Sequence, residues 1–559
     1  VTQRSLLGRV GQAVAGSARD LARMTRAGFR CGLVGSVGNR PLETLRVVLS
    51  NGLGVRSVHA IHAAGDPERP AMVDDRRTVT YQEADAEIDA LAAGLRDVCG
   101  ASRRQPVVVM LENRVEYLVT WFALFRLGIT CAHLSRHSTA DEIEPLIERS
   151  GAQVAVGSKT TAPTLRALAQ RRPDLGLRIL DVDAHDDDES SWSYRRLVER
   201  ADGSSNLRAP EGGTSDNVVY TSGTTGNPKG AVRNFAAFGV VELLSILDRL
   251  PLHVGDHHLV VAPLYHSGAQ AFVLLNAALG ATVFIQEKFD ALETTRRMAD
   301  QRINSVFMVP TMIRRILEQP IEVLKQHEPT ELRALISGAA PFDDALRLRA
   351  IERFGASAVF DFYGATELGW VTLVDGREML ERPGSLGRAI VGQEIAIMDE
   401  EGRRLPPGEI GRVYTRSAQV MSGYLRDDEA TERTRRGPWL TVDDLGFLDE
   451  DGYLFLTGRD RDMVITGGVN VYPVEVENAL AHHPDVRELA VIGIPDDQWG
   501  ECLTAVYVGD VTIDPEAART WASKRLSAYK IPRRWERVDE LPRNPTGKIL
   551  KRDLVQRFS

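Results

Sequence analysis

The chain has 559 residues, 68 basic and 77 acidic, for a net charge of −9, with 43% hydrophobic and 26% charged residues. That length predicts more than one domain and ample core, and the acidic balance argues against a nucleic-acid binder, which would carry a basic excess. Cys31, Cys99, Cys131 and Cys502 stand far apart with no metal-ligand spacing, so they are expected as buried, reduced thiols of a cytoplasmic protein.

The charge is unevenly placed. Residues 1–50 hold eight arginines against Asp20 and Glu43, a local +6, and Leu6, Leu7, Val10 and Val14 fall at helical spacing. Two readings stay open for this segment. One is a basic amphipathic helix lying on the inner membrane face or on a partner. The other, which asks less of the sequence, is a helical extension packed on the main domain with its arginines in water. No charged segment followed by an apolar one opens the chain, so no signal peptide is expected. The longest apolar candidate, Ala271 to Ile285, is fifteen residues long and includes Asn276; it reads as core, not as a membrane span.

Farther along, Val107–Leu111 predicts a buried strand and Glu116–Leu127 an apolar helix ended by Gly128. Strand-like stretches recur near 154–158, 259–264, 281–285, 305–310 and 334–340. Alternation of this kind predicts an α/β fold with mostly parallel strands, whose ligands sit at strand ends. From about residue 384 the pattern changes to short alternating strands with turns such as Pro406-Pro407-Gly408, as in a small barrel-like antiparallel subdomain. Past Gly458 a compact α+β tail begins, with elements at 464–465, 473–480, 488–492 and 517–526. The expected division is a basic extension over 1–55, a large domain over 56–458 and a small mobile domain over 459–559.

One stretch carries chemistry on its face: Thr221-Ser222-Gly223-Thr224-Thr225-Gly226-Asn227-Pro228-Lys229-Gly230. It is not a Walker A loop, because neither Gly223 nor Gly226 has a glycine five positions on. Its glycines can still turn backbone N–H groups toward an anion, its hydroxyls can donate to phosphate oxygens, and Lys229 adds charge. Taken alone, a solvated surface loop explains it nearly as well.

Four further blocks follow in order: Tyr363-Gly364-Ala365-Thr366-Glu367, Asp443-Asp444, Gly458-Arg459-Asp460-Arg461-Asp462, and Pro545-Thr546-Gly547-Lys548. With the loop, these blocks resemble the adenylate-forming superfamily, in its acyl-CoA synthetase branch, from about residue 57 to the end. The resemblance implies a two-step reaction: a carboxylate attacks the α-phosphate of ATP, and a thiol, usually that of coenzyme A, then displaces AMP.

The same resemblance implies the roles. Thr221, Ser222, Gly223, Thr224, Thr225, Gly226 and Lys229 would cover the β- and γ-phosphates. Glu367, with Thr225, would hold Mg²⁺, and Thr366 would lie near the α-phosphate. Tyr363 and Gly364 would border adenine, with Gly338-Ala339-Ala340-Pro341 on its other face and Asp361 as a candidate partner for its amino group. Asp444 and Arg459 would take the ribose. Lys548 would reach the α-phosphate and carboxylate in the first step, then leave as the tail rotates and Gly467-Gly468 meets the pantetheine arm. His266 would stand beside the acyl pocket, with Asn304–Thr311 and Leu368-Gly369-Trp370 as further lining.

Two departures from the family pattern stand out. Val442-Asp443 replace a Thr-Gly pair, which places a second carboxylate next to Asp444 or turns it to solvent. The hinge position holds Arg461. Medium- or long-chain fatty acids are the expected substrates. An aromatic acid is the runner-up, followed by a carrier-protein-loading acyl-AMP ligase and a catalytically weak nucleotide-binding scaffold. No insertion restrains the tail between Gly411 and Arg459, which favours coenzyme A.

Overall fold

A computed structural model describes residues 18–32, 40–52, 54–97, 99–101, 105–186, 191–200, 216–221, 229–234, 240–459, 462–466, 469–496, 498–544 and 547–559. The chain divides into two compact units: one comprises Val1–Phe307, Gln319–Ala334 and Ser417–Arg433, the other Met308–Glu318, Leu335–Arg416 and Thr434–Ser559.

The first unit is α/β, as the strand–helix rhythm predicts. Its eight-stranded sheet runs in the order Gly423–Tyr424, Lys229–Asn234, Asp216–Thr221, Cys131–His133, Val107–Met110, Val154–Gly157, Arg178–Asp181 and Ser191–Ser193. The strands from Asp216–Thr221 onward are parallel, and the first two are antiparallel. A second set pairs Ser305–Met308, His257–Val260, Thr282–Ile285 and Pro70–Val73 in parallel. Strands this apolar need cover on both faces. The helix Val115–Leu127 supplies part of it and is buried along its whole length; its Arg126 is paired with Asp85 and Asp89. Gly128 stops that helix at φ +66°, where its N–H caps Leu124 and Phe125.

Within the second unit, Ala334–Ser337 runs parallel to Val359–Ala365, and the chain then reverses into Gly369–Asp375. Past residue 390 the expected short antiparallel strands form a six-stranded sheet, from Arg435–Arg436 through Gly411–Arg416 to Leu454–Arg459. The tail builds its own five-stranded sheet around the long hairpin Glu488–Asp496 and Gly500–Val508. Val464, Val471, Val476, Leu480, Val491 and Leu503 share one of its cores.

All four cysteines are buried, and none is in a disulfide. The stretch 271–285 is core, divided between the helix Ser267–Ala278 and the strand Thr282–Ile285. Among the described residues, no helix is long and apolar enough to cross a membrane.

Candidate active site

The glycine- and hydroxyl-rich stretch joins two antiparallel strands whose ladder ends at Thr221 and Lys229. Ser222, Gly223, Thr224, Thr225 and Gly226, between them, lie outside the described residues. Lys229 places its ammonium 5.3 Å from the ring centroid of Tyr424, a cation–π arrangement that nothing in the sequence announces. Gly230 is a packing glycine: a Cβ there would stand 2.7 Å from Val218 Cγ1.

His266, also in the first unit, caps the helix Ser267–Ala278 with extended backbone. Its ring lies 4.2 Å from that of Tyr265. Its Nε2 is buried and, among the described residues, has no hydrogen-bond partner. Burial lowers its pKa to about 4, so the imidazole is neutral at pH 7. Next to it, Gly268 lets the backbone pass against Phe307; a Cβ there would be 3.0 Å from that ring. Phe307 stacks on Phe272 at 5.2 Å, and Val306 to Val309 are buried. This side of the unit is an apolar wall beside an uncharged imidazole.

The second unit holds most of the residues expected at the nucleotide. Gly338 directly follows the strand Ala334–Ser337, and a Cβ on it would come within 2.4 Å of Phe362. Ala339 takes φ +65°, a left-handed conformation that costs an alanine about 1 kcal/mol. The strip Gly338–Pro341 therefore runs close against the strand that carries Tyr363. That strand bulges between Tyr363 and Gly364, and bulges re-aim side chains. Thr366, Glu367 and Leu368 form the tight turn that follows, with Leu368 N bonded to Ala365 O at 3.1 Å. Glu367 is buried there, and Trp370 is buried opposite Gly364.

Asp444 joins this group directly, because the Tyr363 hydroxyl donates to Asp444 Oδ2 at 2.7 Å. Arg459 is the cross-strand partner of Asp444, so the two expected ribose residues share one ladder position.

Two of the expected positions carry charge pairs. Asp361, the candidate partner for the adenine amino group, is one of them. It is fully buried on an ion pair with Arg347 at 2.7 Å, whose other nitrogen donates to Ser385 O at 3.0 Å. Burial raises the Asp361 pKa, and Arg347 pulls it back. Arg347 carries no motif and was invisible in the sequence. Asp443, the departure beside the ribose acid, takes φ +64° and pairs with Arg412. It occupies the conformation a glycine would take, and its charge is matched by Arg412 at a half-exposed position.

Lys548 sits on a tight turn of the tail. Its N–H donates to Asn544 Oδ1 at 2.9 Å, and the Asn544 N–H donates to Lys548 O at 2.9 Å. Gly547, at φ +80°, lies so close to the start of the helix Pro310–Leu317 that a Cβ would be 2.6 Å from Thr311 Oγ1 and 3.4 Å from Val309 Cγ2. The lysine turn thus lies on the far end of the expected Asn304–Thr311 stretch. A chain of charges fastens it: Arg314 meets Asp343 at 2.9 Å and Glu488 at 3.7 Å, and Glu488 meets Arg543 at 2.9 Å. Arg461, Gly467 and Gly468 lie outside the described residues, as does the side chain of Arg459.

Among the described residues no cluster of three metal-ligating side chains exists. A single buried carboxylate at Glu367 fits a Mg²⁺ that takes its remaining oxygens from phosphate and water.

A family model described as AMP-binding enzyme matches residues 60–425, and one described as AMP-binding enzyme C-terminal domain matches 475–548. A feruloyl-CoA synthase of Amycolatopsis sp. is 33% identical over 515 residues, 91% of this chain and 99% of that protein. A long-chain-fatty-acid–CoA ligase of Mycobacterium tuberculosis is 30% identical over 483 residues, 85% and 93% of the two chains. The crystal structure of ATP-bound MatB from Rhodopseudomonas palustris superposes with a TM-score of 0.80 at 28% identity, covering 90% of this chain and 99% of that one.

Proposed function

Because the chain belongs to the AMP-binding enzyme family and is an AMP-forming acid–CoA ligase with ATP and coenzyme A as substrates, we propose that its acid is a medium- or long-chain fatty acid. The observation that carries this choice is the apolar wall of Phe272, Phe307 and the neutral His266 in the first unit, which suits a long uncharged tail. The identity to a feruloyl-CoA synthase favours a second reading, an aromatic acid.

In the first step Asp444 and Arg459 hold the ribose, Tyr363 and Gly338–Pro341 border adenine, and Thr221–Lys229 cover the phosphates. Glu367, with Thr225, would hold Mg²⁺, which neutralises phosphate charge when bound. Thr366 donates near the α-phosphate, and Lys548 holds the charge that develops between phosphate and carboxylate. Asp361, held in place by Arg347, is the candidate partner for the adenine amino group. In the second step residues 459–559 move as a body about Arg461, Lys548 withdraws, and Thr466–Asn470 faces the acyl-adenylate. The large domain spans 56–458, and the enzyme works in the cytoplasm.

Pyrophosphate release over saturated fatty acids and substituted cinnamic and benzoic acids, followed by thioester formation with coenzyme A, tests this. Highest kcat/KM on fatty acids is expected. A preference for the aromatic acids selects the second reading. Adenylate that accumulates without thioester overturns coenzyme A as the acceptor.

A further inference from the structure

The segment ahead of the family match contains two described helices that treat their arginines in opposite ways. In the helix Ala18–Arg30, Arg23 bonds Asp248 at 2.6 Å and Arg30 donates to Asp248 O at 2.9 Å. These charges are committed to the end of the helix Val240–Leu247, and that part of the extension packs.

The helix Pro41–Asn51 does not follow. Its inner face is Thr44, 6% exposed, with half-buried Val47 and Val48. Its outer face is apolar: Leu42 is 81% exposed, Leu45 51% and Leu49 70%. At about 100° per residue these three fall within roughly 60° of arc, with Arg46 about 40° beyond its edge. Arg40 stands at the helix start, paired only loosely with Glu43 at 3.5 Å, and both are exposed. A short helix that buries two valines and exposes three leucines has its hydrophobic stripe turned to the outside.

We propose that the Leu42–Leu45–Leu49 stripe inserts into an anionic lipid surface, with Arg40 and Arg46 on the headgroups. The charge distribution selects this occupant. Residues 1–50 carry +6 in a chain of −9, which leaves −15 on the rest. An anionic bilayer repels the body and attracts this segment, so the same field that binds the protein orients it. Leucines at interfacial depth add the apolar term. The inference stands apart from the choice of acid.

Sedimentation of the full chain with phosphatidylcholine vesicles, with and without phosphatidylglycerol, tests it. Binding is expected with phosphatidylglycerol only, falling as salt rises. The variant Leu42→Ser/Leu45→Ser/Leu49→Ser should bind about tenfold or more weakly, and Arg40→Gln/Arg46→Gln about tenfold more weakly. Both should keep the parental melting temperature and pyrophosphate release on a soluble short acid. Any of three results overturns the proposal: the serine variant binding like the parent, equal binding to both vesicle types, or a parental dimer that the serine variant splits, which would assign the stripe to a second copy of the chain.

Discussion

Asp361 and Asp444 are both buried acids on strands of the same unit, 2% and 5% exposed. One meets a guanidinium that is itself buried, the other a tyrosine hydroxyl. The first carboxylate is cancelled by a fixed cation and holds structure together. The second accepts a hydrogen bond from a neutral donor, the Tyr363 hydroxyl, and a carboxylate oxygen can accept more than one such bond. Burial alone would rank them together; the partner, a cation for one and a hydroxyl for the other, separates them.

The sharpest way to break that contrast is Arg347→Met, which strands Asp361 without its cation. It should cost about 3–5 kcal/mol of unfolding free energy in a denaturant melt, and Arg347→Met/Asp361→Leu should recover most of it. A loss under about 1 kcal/mol would remove the structural role. Next comes Lys548→Ala, expected to cut pyrophosphate release by on the order of 3 kcal/mol, or more than a hundredfold, with the melt unchanged. Near-parental adenylation would dismiss the lysine.

Asp444→Asn should raise KM for ATP by about 2 kcal/mol, roughly thirtyfold, and Tyr363→Phe by about 1 kcal/mol. An Asp444 variant that loses stability instead would place it in the same class as Asp361.

The mildest test lies in the first unit, where burial lowers the pKa of His62, His133 and His266 to about 4 and that of His258 to about 3. The unfolded chain binds these protons near pH 6.5 and the folded one does not. Their contribution is therefore complete above pH 6.5 and is lost as pH falls toward 4. His266→Phe should flatten the slope of stability against pH by up to one proton in that window.

The fold was largely legible. Strand–helix alternation gave the parallel sheets because buried strands are continuous apolar runs, and Gly128 marked its helix end to the residue. The blocks Tyr363–Glu367 and Asp444 were legible as motifs, and the structure adds that they touch. What the sequence hid were partners distant in the chain. Arg347, Arg412 and Arg314 carry no local signature; each matters through the acid it meets 14, 31 or 29 residues away. Asp361 is one such case: its position points at the nucleotide, and the structure adds an arginine opposite that the sequence does not announce. Asp443 is the converse case: the sequence leaves it beside the nucleotide or turned to solvent, and the structure adds its left-handed backbone and its pairing with Arg412.

Gly547 leaves less clearance than one methyl group between the lysine turn and Val309–Thr311. A gap that narrow works as a gauge. Packed surfaces at such a fit are either seated or apart, because partial approach forfeits contact without relieving the clash. The fit of the lysine turn against Val309–Thr311 is thereby set by a hydrogen atom rather than by a side chain.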